Sequence, residues 1–237
     1  MRKILAVSVG TAALLAPSAG ATTLSAAVKL SPSRAGTAER PQGVKLTVKM
    51  DLNTPEGVDR PIVTGFEVWH GPGLAFDRGT GYVRCARDTL TRLGPDGCPP
   101  ESRVGHSTGF GPEDTVEAQP RFQVFNGPGG APMAYVTLQR PARVRGVTVP
   151  TVVDRPRSVW PKRTRWTFPG SMRVVAGIPV TPSHLGFTYG YTKAAKLFVA
   201  STSCPRGGWR WRVRVHTYVA PGNAPVLQQD GRVPCTR

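Results

Sequence analysis

Residues 204–235 constrain the fold of this chain more than any other stretch. The segment opens C-P-R-G-G, continues W-R-W-R-V-R-V-H-T-Y-V, turns at P-G-N-A-P and closes V-P-C. Trp209, Trp211, Val213, Val215, Thr217 and Val219 alternate with Arg210, Arg212, Arg214, His216 and Tyr218. A period of two is the mark of a strand with one buried face and one wet face. The turn predicts a return strand, and a bond between Cys204 and Cys235 would lock the ends of the hairpin.

The same alternation recurs upstream. Val44, Leu46, Val48, Met50 and Leu52 alternate with polar residues, and Ile62, Thr64, Phe66 and Val68 share one side of the next segment. Further strands are predicted at 103–107, 121–126, 133–138, 143–149, 163–168, 185–191 and 196–202, with Pro and Gly between them. The one plausible helical segment lies near 86–93, ended by G-P-D-G. Many short strands with regular turn signals and little helix describe an all-β chain, an antiparallel β-sandwich. No fixed-period repeat points to a solenoid. Residues 44–237 form the expected sandwich domain, either as one unit or as two small β-subdomains with a disulfide each. Residues 22–43 are poor in large apolar side chains and read as a flexible lead-in with a short edge strand at 27–30.

The N-terminus reads as an export signal over residues 1–21. Arg2 and Lys3 precede an apolar run at 4–16, and Ala19-Gly20-Ala21 is a small-residue cleavage site. The run is too short to span a bilayer and is broken by Pro17, so no integral membrane segment is expected in the mature chain. The expected location is secreted or wall-associated. Four cysteines in an exported chain imply disulfides, with three connectivities open. The sequential pairs, Cys85 with Cys98 and Cys204 with Cys235, are favoured because each closes a short loop rich in turn residues. These spacings lack the close-set pairs of a structural zinc site. The four histidines, His70, His106, His184 and His216, are scattered, so no metal is expected. No phosphate loop or dinucleotide fingerprint is present, and no cofactor is expected.

The chain carries 31 Lys and Arg against 14 Asp and Glu, a formal charge of +17. Such a balance favours an anionic partner, although an arginine excess with abundant Gly, Pro and Ala also follows from a GC-rich genome. The candidate polyanion-binding residues are Arg210, Arg212, Arg214 and His216, on one face of the late strand. Trp209 and Trp211 fall on the opposite face. Base-stacking proteins present aromatics and positive charge together, so no nucleic acid is expected. The arginines then read as a solvated face or an edge guard. Trp160, Lys162, Arg163, Arg165 and Trp166 form a second basic and aromatic group in a proline-broken loop. An acidic wall polymer or polysaccharide suits the compartment better than DNA.

Residues 105–109, G-H-S-T-G, match the nucleophile elbow of α/β-hydrolases, with Ser107 as nucleophile and Asp154 with His184 or His216 as partners. That chemistry needs a buried strand delivering the serine to a tight turn with a helix at once behind it. Here prolines precede and F-G-P follows. No catalytic residue is therefore assigned, and a small secreted serine hydrolase is the alternative reading.

Taken together, several pieces form a pattern: Cys85, the run C-P-P-E-S-R-V-G at 98–105, F-N-G-P-G-G at 125–130, C-P-R-G-G-W at 204–209, and Pro234-Cys235. Their order resembles a group of exported β-sandwich proteins common in actinobacteria, and the likeness covers most of 44–237. The resemblance implies sequential disulfides and places G-H-S-T-G at the start of a strand. It implies no substrate and no catalytic residue.

Overall fold

The computed structural model describes residues 21–76, 83–109, 121–138, 144–148, 151–154, 158–190, 198–219, 222–223 and 226–237. All but the last residue of the expected export signal lies outside them. The first half of the chain supplies β1 (Thr23–Ser31), β2 (Gln42–Gly43), β3 (Lys45–Asn53), β4 (Ile62–His70) and β5 (Leu74–Phe76). Helix α1 (Arg87–Leu93) precedes β6 (Arg103–Gly109), β7 (Arg121–Asn126), β8 (Pro132–Leu138), β9 (Val144–Thr148) and β10 (Thr151–Asp154). Next come β11 (Lys162–Thr167), the single turn α2 (Gly170–Arg173), β12 (Val174–Val175), β13 (Ile178–Pro179), β14 (His184–Tyr189) and β15 (Val199–Ser201). The chain closes with β16 (Trp209–Val219), β17 (Gly222–Asn223) and β18 (Leu227–Val233).

These strands form an all-β sandwich. One sheet runs β1-β3-β14-β6-β7-β8-β9, and the facing sheet runs β10-β11-β4-β16, with β17 and β18 both paired to β16. Every pairing between these strands is antiparallel. The alternation read from the sequence becomes burial here. In β3, Leu46, Val48, Met50 and Leu52 are buried and Lys45 and Lys49 are exposed. In β16, Trp209, Trp211, Val213 and Val215 are buried. One apolar cluster joins both inward faces. At its centre Phe66 of β4 stacks on Phe187 of β14 with ring centroids 5.5 Å apart, so the two sheets meet through aromatic rings.

Three features differ from the sequence reading. Residues 22–43 are not a loose lead-in: β1 pairs with β3 over nine positions, burying Ala26 and Leu30. The alternation Leu24, Ala26, Val28, Leu30 carried that strand, but two of its core-side positions are too small or too polar-flanked to stand out. The chain beyond β1 is also tied down, since Ala35 N–H donates to Thr236 O at 2.8 Å. In β4 the alternation breaks, because the register with β16 shifts between His216 and Thr217. Thr64 is the extra residue there, its hydroxyl donating to the carbonyl of His216 at 3.1 Å. Val63 rather than Thr64 therefore joins the core. Strand β10 and the β12–β13 hairpin are additions to the strands expected.

Both sequential disulfides are present, Cys85–Cys98 and Cys204–Cys235, with Cα separations of 5.3 and 5.8 Å. The first joins Leu90 of α1, Phe125, Met133 and Tyr135 in a small satellite core. The second closes the β16–β18 hairpin. Trp209 is fully buried beside it and its indole N–H donates to Ser203 O at 2.9 Å. Across the hairpin Trp211 faces Gly231, where a Cβ would fall 2.2 Å from the indole Cζ2. Only glycine leaves room for that ring. Among the described residues no helix is long and apolar enough to cross a membrane.

Candidate functional site

The outward face of the second sheet is where the sequence-read candidates lie. Strand β16 runs between β4 and β18, so Arg210, Arg212 and Arg214 are not edge guards but sit within the sheet. Register then decides their neighbours, because residues opposite one another in an antiparallel pair share a face. Across one row, Arg165 of β11, Glu67 of β4, Arg214 of β16 and Gln228 of β18 lie side by side. The next row is Arg163, Trp69, Arg212 and Asp230. One step further, Arg210 faces Arg232.

Glu67 is the hub. It is buried although it faces outward, with 3 % of its surface exposed, because the long side chains around it close over it. Its Oε2 accepts the indole N–H of Trp69 at 2.9 Å. Its Oε1 lies 3.3 Å from Nε2 of His216, 3.7 Å from Nε of Arg165 and 3.9 Å from Nη1 of Arg163. The carboxylate thus fixes the indole edge-on, and the guanidiniums of Arg163 and Arg214, from the strands flanking β4, pack against the ring at 5.0 and 5.4 Å from its centroid. Arg212 packs the same way on Trp160 at 4.9 Å. Its Nε and Nη2 also donate to the two oxygens of Asp230 at 2.7 and 2.6 Å. That forked bond from Arg212 holds the Asp230 carboxyl below the usual carboxylate range. Arg214 Nε donates to Gln228 Oε1 at 2.7 Å.

The expectation that this face carries no aromatics is corrected. Trp209 and Trp211 do point inward, but Trp69 and Trp160 bring rings to the arginine side. Of the group at 160–166, read as a loop, only Trp160 and Pro161 precede strand β11 (Lys162–Thr167), which matches the strand expected at 163–168, sends Arg163 and Arg165 outward and buries Trp166. Glu67, Trp69, Arg232 and Asp230 were missed as site residues. The period-two pattern does place Glu67 and Trp69 on the non-core side of β4. Nothing in the sequence says that β4 lies between β11 and β16. At the His216 end the face runs into a groove of about 530 Å³ lined by Thr64, Gly65, Arg165, Arg173, His216 and Tyr218, among others.

Ser107 lies within β6, opposite Phe187 of β14. Its Oγ accepts the backbone N–H of Phe122 at 3.3 Å. His184 instead pairs with Asp51, and His216 with Glu67 in the other sheet. The structure brings neither ring to the serine. The side chain of Asp154 and residues 110–112 lie outside the described residues. His70 is buried in the core against Phe76 at 4.9 Å, and burial together with the charge of Lys162 pulls its pKa down to about 3. It is a neutral packing residue. Among the described residues no group of three or more His, Cys, Asp or Glu is placed to hold a metal.

Comparison with protein-family models, with curated proteins and with solved structures finds no match to this chain.

Proposed function

We propose that this protein is an exported, non-catalytic binding module of the cell envelope or extracellular space, and that its arginine and tryptophan face takes an anionic wall polymer or polysaccharide. The observation that carries the reading is the gathering of Arg163, Arg165, Arg210, Arg212, Arg214 and Arg232 on one face against, among the described residues, only Glu67 and Asp230. Six cations against two anions leave an excess of four positive charges there. Such a patch attracts a flexible polyanion and raises its local concentration. Ring stacking and the Glu67 hub hold several guanidiniums in fixed positions, which lowers the entropy lost on binding.

Nucleic acid fits less well, because Trp69 is already occupied by guanidiniums from both neighbouring strands rather than open to a base. The export signal, the resemblance to exported actinobacterial sandwiches and the two disulfides support a location outside the cytoplasm. The test is retention of the mature chain on immobilised polygalacturonate over a salt series. Retention at low salt and release by about 1 M salt, where the Debye length is near 3 Å, is expected. A mature chain that passes unretained at the lowest salt overturns the proposal.

A further inference from the structure

The rung formed by Arg210 and Arg232 has no internal explanation. The two residues are directly opposite each other on the wet face of the β16–β18 pair. Like charges so placed repel and destabilise a sheet. One rung along, Arg212 is matched by Asp230, and both oxygens of that carboxylate are taken by the Arg212 fork. Two rungs along, Arg214 has the acceptor Gln228. Among the described residues no carboxylate pairs with Arg210 or Arg232, and the one side-chain bond of Arg232 is a long one of 3.4 Å to Gly207 O.

This rung does not lie on a flat surface. It lines a cleft of about 370 Å³ whose walls are Trp160, Arg210, Arg212, Asp230, Gly231 and Arg232. A second depression, about 490 Å³, adjoins it through Arg232 and adds Arg206 and Arg237 around the Cys204–Cys235 bond. Within one cleft, then, stand two uncompensated guanidiniums and an indole already held in place by Arg212. Guanidinium forks suit planar or tetrahedral oxyanions. An indole wall is a broad apolar surface that suits the C–H face of a pyranose ring. Phosphate groups alone would use the first feature and not the second.

We propose that this cleft is a subsite for one acidic sugar unit of the polymer, its carboxylate or sulfate held between Arg210 and Arg232 and its ring against Trp160. The inference rests on the binding function proposed above and names the chemistry of its ligand. The experiment compares wild type, the double variant Arg210→Gln with Arg232→Gln, and Trp160→Leu. Each is titrated at one low ionic strength with polygalacturonate, with polyphosphate and with neutral dextran. The double variant is expected to bind polygalacturonate about tenfold more weakly, the loss of a charge-assisted contact, and to melt no lower than wild type because a repulsion is removed. Trp160→Leu is expected to weaken polygalacturonate binding severalfold and leave polyphosphate binding unchanged. If wild type binds polygalacturonate and the double variant binds it equally well, the subsite is refuted while the wider face survives. If Trp160→Leu weakens both charged polymers alike, or dextran binds as tightly as polygalacturonate, the sugar assignment fails. If wild type does not bind polygalacturonate, the function itself fails.

Discussion

Replacing Glu67 by Gln tests whether one buried carboxylate organises the arginine face. The amide keeps the shape of the side chain and an oxygen for the indole N–H of Trp69, but removes the charge. A hydrogen bond to a charged acceptor is worth about 1.5–3 kcal/mol against about 1 for a neutral one, so the Trp69 bond weakens by about 1 kcal/mol. Arg163 and Arg165 are 23 % and 46 % exposed and lie 3.9 and 3.7 Å from the carboxylate. Pairs that exposed are worth about 0.5 kcal/mol each, and relief of carboxylate desolvation returns part of the total. The net loss is about 1–2 kcal/mol, or about 3–6 °C in melting temperature for a domain of this size. Glu67→Leu, which leaves the indole N–H and the guanidiniums without an acceptor, should cost about 3 kcal/mol. Urea unfolding with the disulfides intact, followed by tryptophan fluorescence, measures both. The same Glu67→Gln change raises the excess charge of the face by one, so stability falls while retention on polygalacturonate rises. A Glu67→Gln protein as stable as wild type would refute the hub, and one retained less strongly would refute the link between the hub and the charge of the face.

Two further outcomes follow from His70 and from the disulfides. His70 stays neutral when folded down to about pH 3 but takes up a proton below about 6.5 when unfolded, so stability falls as pH drops through that window. Between pH 7.5 and 5 the loss is about 2 kcal/mol from this residue; urea midpoints of wild type should shift accordingly, and those of His70→Leu should shift by about that much less. Loop-closure entropy assigns about 4 kcal/mol to Cys204–Cys235 and about 3 kcal/mol to Cys85–Cys98, so the paired serine variants should lose stability in that order under urea.

Most of the frame was legible in the sequence because strands that bury one face announce it residue by residue. The runs in β3 and β16 carry bulky apolar residues at every second position, and 121–126 matches β7 to the residue. The cysteine pairing was legible because each pair encloses its own turn. What failed was non-local. Strand β1 has Ala26 where a larger residue would have signalled burial, and its support comes from β3 and from Gln229 of β18, more than 200 residues away. The bulge at Thr64 is a property of the β4–β16 pair and not of β4. The site suffered most from the same limit. The arginines of β16 were evident, but their meaning depends on Glu67 and Trp69 standing in the next strand at matching register. Sequence order separates those residues by some 145 positions, and only the sheet order brings them together.

The most direct test of the account is the salt at which the mature chain leaves immobilised polygalacturonate, compared with a variant carrying Arg210→Gln, Arg212→Gln and Arg214→Gln. Circular dichroism and melting temperature establish that the variant is folded. If the face binds the polymer, the variant elutes at clearly lower salt than wild type, because three of the six arginines that define the patch are gone. Elution of a folded variant at the same salt as wild type would contradict the account, since the charge of the chain would then act from somewhere other than this face.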